Sequence, residues 1–383
     1  MSHSNSVFSQ LLKLISRHEF ETLAKTHHKG RVLRTMSRWS QFVALSFAQL
    51  AGRCSLRDIV SNLDKQRRKS YHLGIGKVSR SSLARVNEQQ PYPLYEGLFW
   101  KLLARCQSLA PRHGFHFKNK LYSLDASTID LCLSLFPWAK FRKTKGAIKL
   151  HVGLDHDGFL PVFMTITEGK QQDITQGRSL ELDAGSIVVF DRGYTDFTWF
   201  NLLNSKGIYF VTRLKANTKY RVISRHPVNK EQGITSDQTL ILTGPKADAC
   251  PIKLRRIGYR DPQTGKHYVF LTNQFELTAK TIADIYKSRW QIELFFKCIK
   301  QNLKIKSFVG TSKNAVMTQI WVAMCMYLMA AYLKFCSKLD LSIQQIIRLF
   351  QVNLFERRDL WGLLKGDPPG PIETQVQIQF TFS

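Results

Sequence analysis

Residues 186–213 read SIVVFDRGYTDFTWFNLLNSKGIYFVTR, and this stretch decides the fold class. Ser186 to Asp191 is an apolar run of the kind found in a strand buried on both faces. Phe197 to Asn204 has helical spacing, and Ile208 to Arg213 reads as a second strand. Strand, helix and strand in so short a span make a crossover unit with parallel strands. Upstream, residues 120–125 (KLYSLD) read as a strand ending in an acid. Ala147 to Leu154 and Phe159 to Thr167 read as two strands joined by the turn-forming run Asp155-His156-Asp157-Gly158. A short helix is expected around Gly177 to Leu182.

In chain order this is three strands, helix, strand, helix, strand. An antiparallel meander followed by crossovers is the order expected of an α/β, ribonuclease-H-like core. Residues 214–276 hold β-prone pieces (TLILTG, KLRRIGYR, HYVFLTN) and read as a β-rich insertion, after which helices resume from Thr278. Ahead of the core, residues 1–115 read as all-α, with apolar positions at three- and four-residue steps in FSQLLKLISRHEFETLAK and SRWSQFVALSFAQLAG. The expected organisation is a helical basic domain over 1–115, a catalytic domain over 116–335 and a C-terminal helical and irregular tail over 336–383. The tail is expected to be irregular after Lys365, where Gly and Pro cluster.

Charge narrows the function. The 383-residue chain carries 56 Lys and Arg against 28 Asp and Glu, a formal net charge of +28. Half of the cations have no acidic partner, so a polyanion is the expected partner, nucleic acid first. Residues 1–118 hold 20 Lys and Arg against 6 acids, a net of +14, densest at Lys65, Arg67, Arg68 and Lys69. A small basic helical domain is suited to reading DNA ends. The seven cysteines include no CxxC pair, which argues against a zinc site, and their odd, scattered count argues against a disulfide framework. MSHSNSVFSQ lacks the basic-then-apolar pattern of a signal peptide, so a cytoplasmic location is expected. Ala315 to Leu333 carries no charge and has the length of a membrane span. A buried core helix is the preferred reading, and no membrane partner is expected.

Three acids carry the chemistry. Asp125 and Asp191 each end an apolar strand, where a carboxylate is costly unless it meets water, a partner or a metal. Adjacent strands would bring both to one sheet edge. Either alone is more ordinarily a turn cap. Thr281 to Phe308 has a strong helical pattern. At about 100° per residue, Tyr286, Arg289, Glu293 and Lys300 fall within a stripe about 60° wide. Ile292, Phe295, Phe296, Ile299 and Leu303 form an apolar seam beside it. That places the polar stripe at the edge of a cleft. Three carboxylates can hold two Mg²⁺ ions, with Mn²⁺ as a substitute, for phosphodiester cleavage. Arg289 or Lys300 can steady phosphate charge. Trp290 can stack on an unpaired base or pack in the core.

These residues resemble a known family. Tyr286-x2-Arg289-x3-Glu293-x6-Lys300 is similar to the Y-x2-R-x3-E-x6-K signature of the insertion-sequence-4 family of bacterial DDE transposases. LYSLDAST and VVFDRGYTD resemble its two aspartate blocks, and Glu293 lies 102 positions after Asp191. The resemblance spans residues 118–330 and implies a ribonuclease-H-like core with a β insertion. It implies that Asp125, Asp191 and Glu293 bind two Mg²⁺ ions. It further implies nicking at a transposon end, a hairpin intermediate and strand transfer to target DNA. Tyr286, Arg289 and Lys300 would contact DNA phosphates, Trp290 would handle a flipped base, and Arg213 resembles a basic residue near the active site. The expected partners are double-stranded DNA, as transposon ends and target, and a second copy of the chain in a synaptic homodimer. The expected place is the bacterial cytoplasm, on the nucleoid. The rival readings are another nuclease of the same fold and a DNA-binding repressor derived from a transposase.

Overall fold

The computed structural model describes residues 6–368. Most of the tail expected to be irregular after Lys365 lies outside the described residues. Helices alone precede the first strand among the described residues: α1 (Val7–Leu12), α2 (Arg17–Thr26), α3 (Arg38–Leu50), α4 (Leu56–Lys65), α5 (Arg67–Ser70), α6 (Arg80–Gln89) and α7 (Pro93–Gln107). Serines start five of them, Ser6 capping α1 through Ser9 N–H. Ser16, Ser37, Ser55 and Ser79 each accept the backbone N–H three residues on, which satisfies a donor the helix cannot use.

A mixed α/β region follows. Its elements are β1 (Leu121–Leu131), β2 (Lys140–Arg142), β3 (Lys145–Asp155), β4 (Leu160–Glu168), α8 (Asp173–Arg178), β5 (Ile187–Phe190), α9 (Phe197–Ser205) and β6 (Tyr209–Arg213). The chain continues through β7 (Tyr220–Arg225), β8 (Ile234–Leu242), β9 (Leu254–Arg260) and β10 (His267–Thr272). It ends in α10 (Ala279–Ser288), α11 (Trp290–Gln301), α12 (Lys313–Ser337), α13 (Ile343–Asn353) and α14 (Leu360–Lys365). β3 pairs antiparallel with β1 and β4, while β5 pairs parallel with both β1 and β6.

β5 is buried along its whole length, and its side chains alternate between two cores. Val188 and Phe190 pack with α9 residues Trp199, Phe200 and Leu203. Ile187 and Val189 face α10 residues Ile282 and Ile285. Two covered faces explain the unbroken apolar run. The four strands of the 214–276 segment extend this same sheet, because β10 pairs antiparallel with β6.

α12 is long and apolar enough to cross a membrane by length and composition, yet 94% of its most apolar window is buried inside the protein. It packs in one core with α3, α7, α11, α13 and the β3–β4 side of the sheet. The N-terminal helices therefore share their core with the helices that follow the sheet.

Three local expectations need correction. β1 does not end at Asp125; it runs to Leu131, because its antiparallel ladder with β3 continues after the parallel ladder with β5 stops at Leu124. The short helix lies earlier than Gly177–Leu182, at Asp173–Arg178, with the Asp173 carboxylate in its first turn, where the helix dipole favours it. The helix expected over 281–308 is two helices. At the junction Arg289 N–H bonds Tyr286 O (3.2 Å) and Ile292 N–H bonds Arg289 O (3.1 Å), a tightened turn of three-residue hydrogen bonds. The second helix stops before Lys304, whose φ of +51° is left-handed.

Candidate active site

The β1–β5 register builds the first half of the site. Leu124 pairs with Phe190, so Asp125 and Asp191 are the next residues on neighbouring strands, at the mouth of the parallel ladder. By the two-residue period Asp125 shares a face with Leu121, and Asp191 with Ile187 and Val189. That is the face covered by α10, whose Ile282 and Ile285 pack against those residues.

α11 supplies the second half. Its expected seam is buried: Ile292, Phe295, Phe296 and Ile299 lie in the core, as does Leu303 just beyond the helix. The polar stripe then runs beside β1. Arg289 Nη1 donates to Asp125 Oδ2 at 3.3 Å, and its Nη2 donates to Glu293 Oε1 at 2.7 Å. Seven residues on from Glu293, Lys300 Nζ donates to the Thr128 carbonyl at 2.8 Å. Seven helical residues rise about 10 Å and three strand residues rise about 10 Å. The spacing Glu293 to Lys300 thus matches Asp125 to Thr128, and α11 keeps register along β1.

The remaining expected residues lie close by, with one at the rim. Tyr286 packs its ring 4.9 Å from that of Phe270, and the Arg289 guanidinium sits 5.7 Å from the Tyr286 ring centroid. Arg213, at the end of β6, lies 5.1 Å over the Tyr268 ring. Burial raises the pKa of the Tyr286 phenol, and the positive charges of Arg289 and Arg213 oppose the rise. Trp290 opens α11 and is 57% exposed, so it is not core packing.

Asp191 also does what an ordinary turn aspartate does. Its Oδ1 accepts Gly193 N–H at 2.7 Å and caps the turn Arg192–Tyr194. A Cβ at Gly193 would sit 2.9 Å from that oxygen, so a larger residue there would push the Asp191 carboxylate aside. Asp125 is more perturbed. Burial, joined by the like charges of Asp191 and Glu293, pushes its carboxyl up to about 6, against the Ala126 N–H bond and Arg289, which pull it down. Three acids around one strand end, one of them reluctant to ionise, form a site short of positive charge.

Among the described residues no three His, Cys, Asp or Glu side chains stand close enough to share a metal ion. Arg289 is the cation between Asp125 and Glu293. The donor set is nonetheless all carboxylate oxygen, which suits hard divalent ions, and the charged form of Asp125 is disfavoured chiefly by burial, with the like charges of Asp191 and Glu293 adding to it. The chemistry of these donors is that of a site for such an ion.

Sequence reasoning passed over a second polar group beside the acids. On β3, Lys149 and His151 pair with Thr128 and Ala126 of β1. Lys149 Nζ lies 3.0 Å from Asp173 Oδ1 and His151 Nδ1 lies 3.7 Å from the same oxygen. A cavity of about 390 Å³ opens here, lined by Thr128, Lys149, Asp173 and Gly193 among others. The signal was legible as two polar residues on one face of the otherwise apolar AIKLHVGL.

Residues 116–329 match the family described as the transposase DDE domain, and residues 3–76 match a domain of unknown function (DUF4372). A transposase-named protein of Sinorhizobium fredii, y4zB, is 32% identical over 296 residues, 76% of this chain and 81% of its own. A protein named as a transposase for insertion sequence element IS5377 of Geobacillus stearothermophilus is 26% identical over 72% of this chain and 74% of its own. One named for element IS4SA of Synechocystis is 22% identical over 62% of this chain and 67% of its own. The chain belongs to the transposase DDE-domain family and is a bacterial DDE transposase.

Proposed function

We propose that this transposase belongs to the insertion-sequence-4 group and excises its element by cut-and-paste through a DNA hairpin, with Asp125, Asp191 and Glu293 as catalytic residues. The observation that supports it most is the convergence of Asp125 and Glu293 on one arginine, beside Asp191 at the mouth of the β1–β5 ladder. The meander β1–β3–β4 followed by parallel β5 and β6 supports a ribonuclease-H-like core.

The three carboxylates would hold two divalent ions, Mg²⁺ or Mn²⁺. When bound, such ions supply an activated water or 3′-OH nucleophile and stabilise the leaving oxygen. The chain's own side chains do the rest. Arg289 leaves the acids and pairs with a DNA phosphate, assisted by Tyr286 and Lys300, so that binding of substrate vacates the space between Asp125 and Glu293. Arg213 adds positive charge on the β6 side. Trp290, exposed at the start of α11, receives a base turned out of the stack at the hairpin.

Residues 1–115 are read as the DNA-end-binding domain, 116–335 as the catalytic domain and 336–383 as the tail. Lys65, Arg67 and Arg68 are exposed around α4 and α5, where phosphates can reach them. Binding is expected to weaken steeply with salt, because many phosphate contacts release counterions. The working form is a homodimer synapsing two ends in the bacterial cytoplasm, on the nucleoid. Asp125→Asn, Asp191→Asn and Glu293→Gln should each abolish Mg²⁺-dependent nicking of the element's end while DNA binding survives. Nicking that persists in one variant removes that residue from the catalytic set.

A further inference from the structure

A cavity of about 730 Å³ lies away from the acids, where segments far apart in the chain meet. Arg53 enters it from just beyond α3, Lys69 from α5, and Arg357 and Arg358 from the turn between α13 and α14. Phe47, Leu354 and Phe355 give it an apolar wall, with the Phe47 and Phe355 rings 5.6 Å apart. Glu356 is the one acid among the residues that line it.

The cations here are thinly matched. Lys69 Nζ donates to the Phe355 carbonyl at 3.0 Å, which is a dipole and not a charge. Arg53 meets Asp58 at 3.6 Å, and Arg358 meets Glu356 at 3.8 Å, both loose contacts. Arg357 is exposed. Gathering four cations in one cleft costs free energy through repulsion, and an anionic ligand offsets it.

Position identifies the anion. Gln351, on the wall of the cleft, donates Nε2 to the Asn302 carbonyl at 3.2 Å, at the C-terminus of the helix that carries Glu293. Lys304 reaches Gly52, the neighbour of Arg53: its Cε lies 3.6 Å from where a Gly52 Cβ would be. From Glu293 to Asn302 the helix rises about 14 Å, under half of the roughly 34 Å of a duplex turn. No Asp or Glu occurs from 294 to 339, while Lys297, Lys304 and Lys306 stand exposed over the start of that stretch. A lone phosphate group would leave most of the cavity empty, whereas a sugar–phosphate chain sets its deoxyribose on the apolar wall.

We propose that this cleft seats the sugar–phosphate backbone of the element's end, with Arg53 and Arg357 on its phosphates. The seated stretch lies within one duplex turn of the terminal phosphodiester, the bond that the catalytic reading above places at the acids. The site is composite. Residues that precede and follow the catalytic core in sequence complete it together, so the N-terminal helices alone do not make it.

The full chain carrying both Arg53→Gln and Arg357→Gln tests this beside wild type. The readouts are thermal melting, sedimentation without DNA, affinity for a duplex carrying the element's end across a salt series, and ethylation interference at its phosphates. The expected result is unchanged melting and sedimentation, affinity lower by on the order of tenfold, a salt slope shallower by about two, and interference lost at phosphates within one turn of the terminal phosphodiester. Unchanged affinity and slope overturn the proposal. Interference lost only beyond one turn also overturns it, since the cleft would then hold other DNA. So does lowered melting or a shift to a smaller sedimenting species, which would give the arginines to the fold or to a second copy of the chain. If the expected binding results accompany a wild type that nicks no end, the catalytic reading fails and the cleft keeps its DNA.

Discussion

Arg255 and Arg289 both meet carboxylates away from solvent, and only the first meeting is complete. Arg255 on β9 donates Nε and Nη2 to both oxygens of Asp237, at 2.9 and 2.6 Å, and Nη1 to the Leu277 carbonyl at 2.6 Å. The two side chains are 9% and 6% exposed. This pair ties β8 and β9 to the segment that leads into α10. Arg289 divides itself between Asp125 and Glu293, and its buried Nε has no partner among the described residues. The first arrangement is saturated and serves the fold. The second leaves polar capacity unused beside three acids, and that unused capacity is what a phosphate or a divalent ion can take up.

The comparison breaks first on stability. Arg255→Ala strands Asp237 without countercharge, and urea unfolding should register a loss of about 3–5 kcal/mol. Arg289→Ala should cost less stability while abolishing nicking, because Asp125, its carboxyl already pushed up to about 6, can take up a proton when its cation is removed. Equal losses in the two variants would erase the distinction.

Asp125 sharpens the contrast through pH. Its folded carboxyl titrates near 6, above the ordinary 3.8, so the folded state holds the proton more tightly than the unfolded chain. Folding stability from this group is therefore highest at low pH, declines between about pH 4 and pH 6, and stays lower at neutrality. Asp125→Asn should raise unfolding free energy at pH 7, by on the order of 2 kcal/mol, with a smaller gain at pH 5. A variant less stable than wild type at pH 7 would show that the charge is well supported in the fold. The smallest effect is expected at the rim: Trp290→Ala should change stability by less than about 0.5 kcal/mol. In the same variant hairpin formation should fall further than first-strand nicking. Equal losses at the two steps would place Trp290 outside base handling.

Legibility followed the same division. The strands around Asp191 were readable because a strand buried on two faces leaves an unbroken apolar run, Ile187 to Phe190. The stripe Tyr286, Arg289, Glu293 and Lys300 was readable because helical spacing survives a local tightening of the backbone; the tightening itself was not. The full length of β1 was missed although Thr128, Ile129, Asp130 and Leu131 alternate exposed and buried, because the polar run Asp125-Ala126-Ser127 interrupts the apolar pattern and the β3 ladder carries the strand across it. Asp173 was missed for another reason. Its significance lies in a contact with β3, which leaves no period in the sequence. That helices α1 to α7, over residues 7–107, share a core with α12 was equally out of reach, since an apolar helical face does not name the surface it meets.

The claim on which the rest depends is that Asp125, Asp191 and Glu293 together hold divalent metal. Ferrous iron loaded in place of Mg²⁺ on the DNA-bound protein, then treated with ascorbate and peroxide, cuts the polypeptide beside the ion. The account predicts fragments from cuts near residues 125, 191 and 293 that disappear together in Asp125→Asn. Cuts confined to other segments, or unchanged by that substitution, would contradict it.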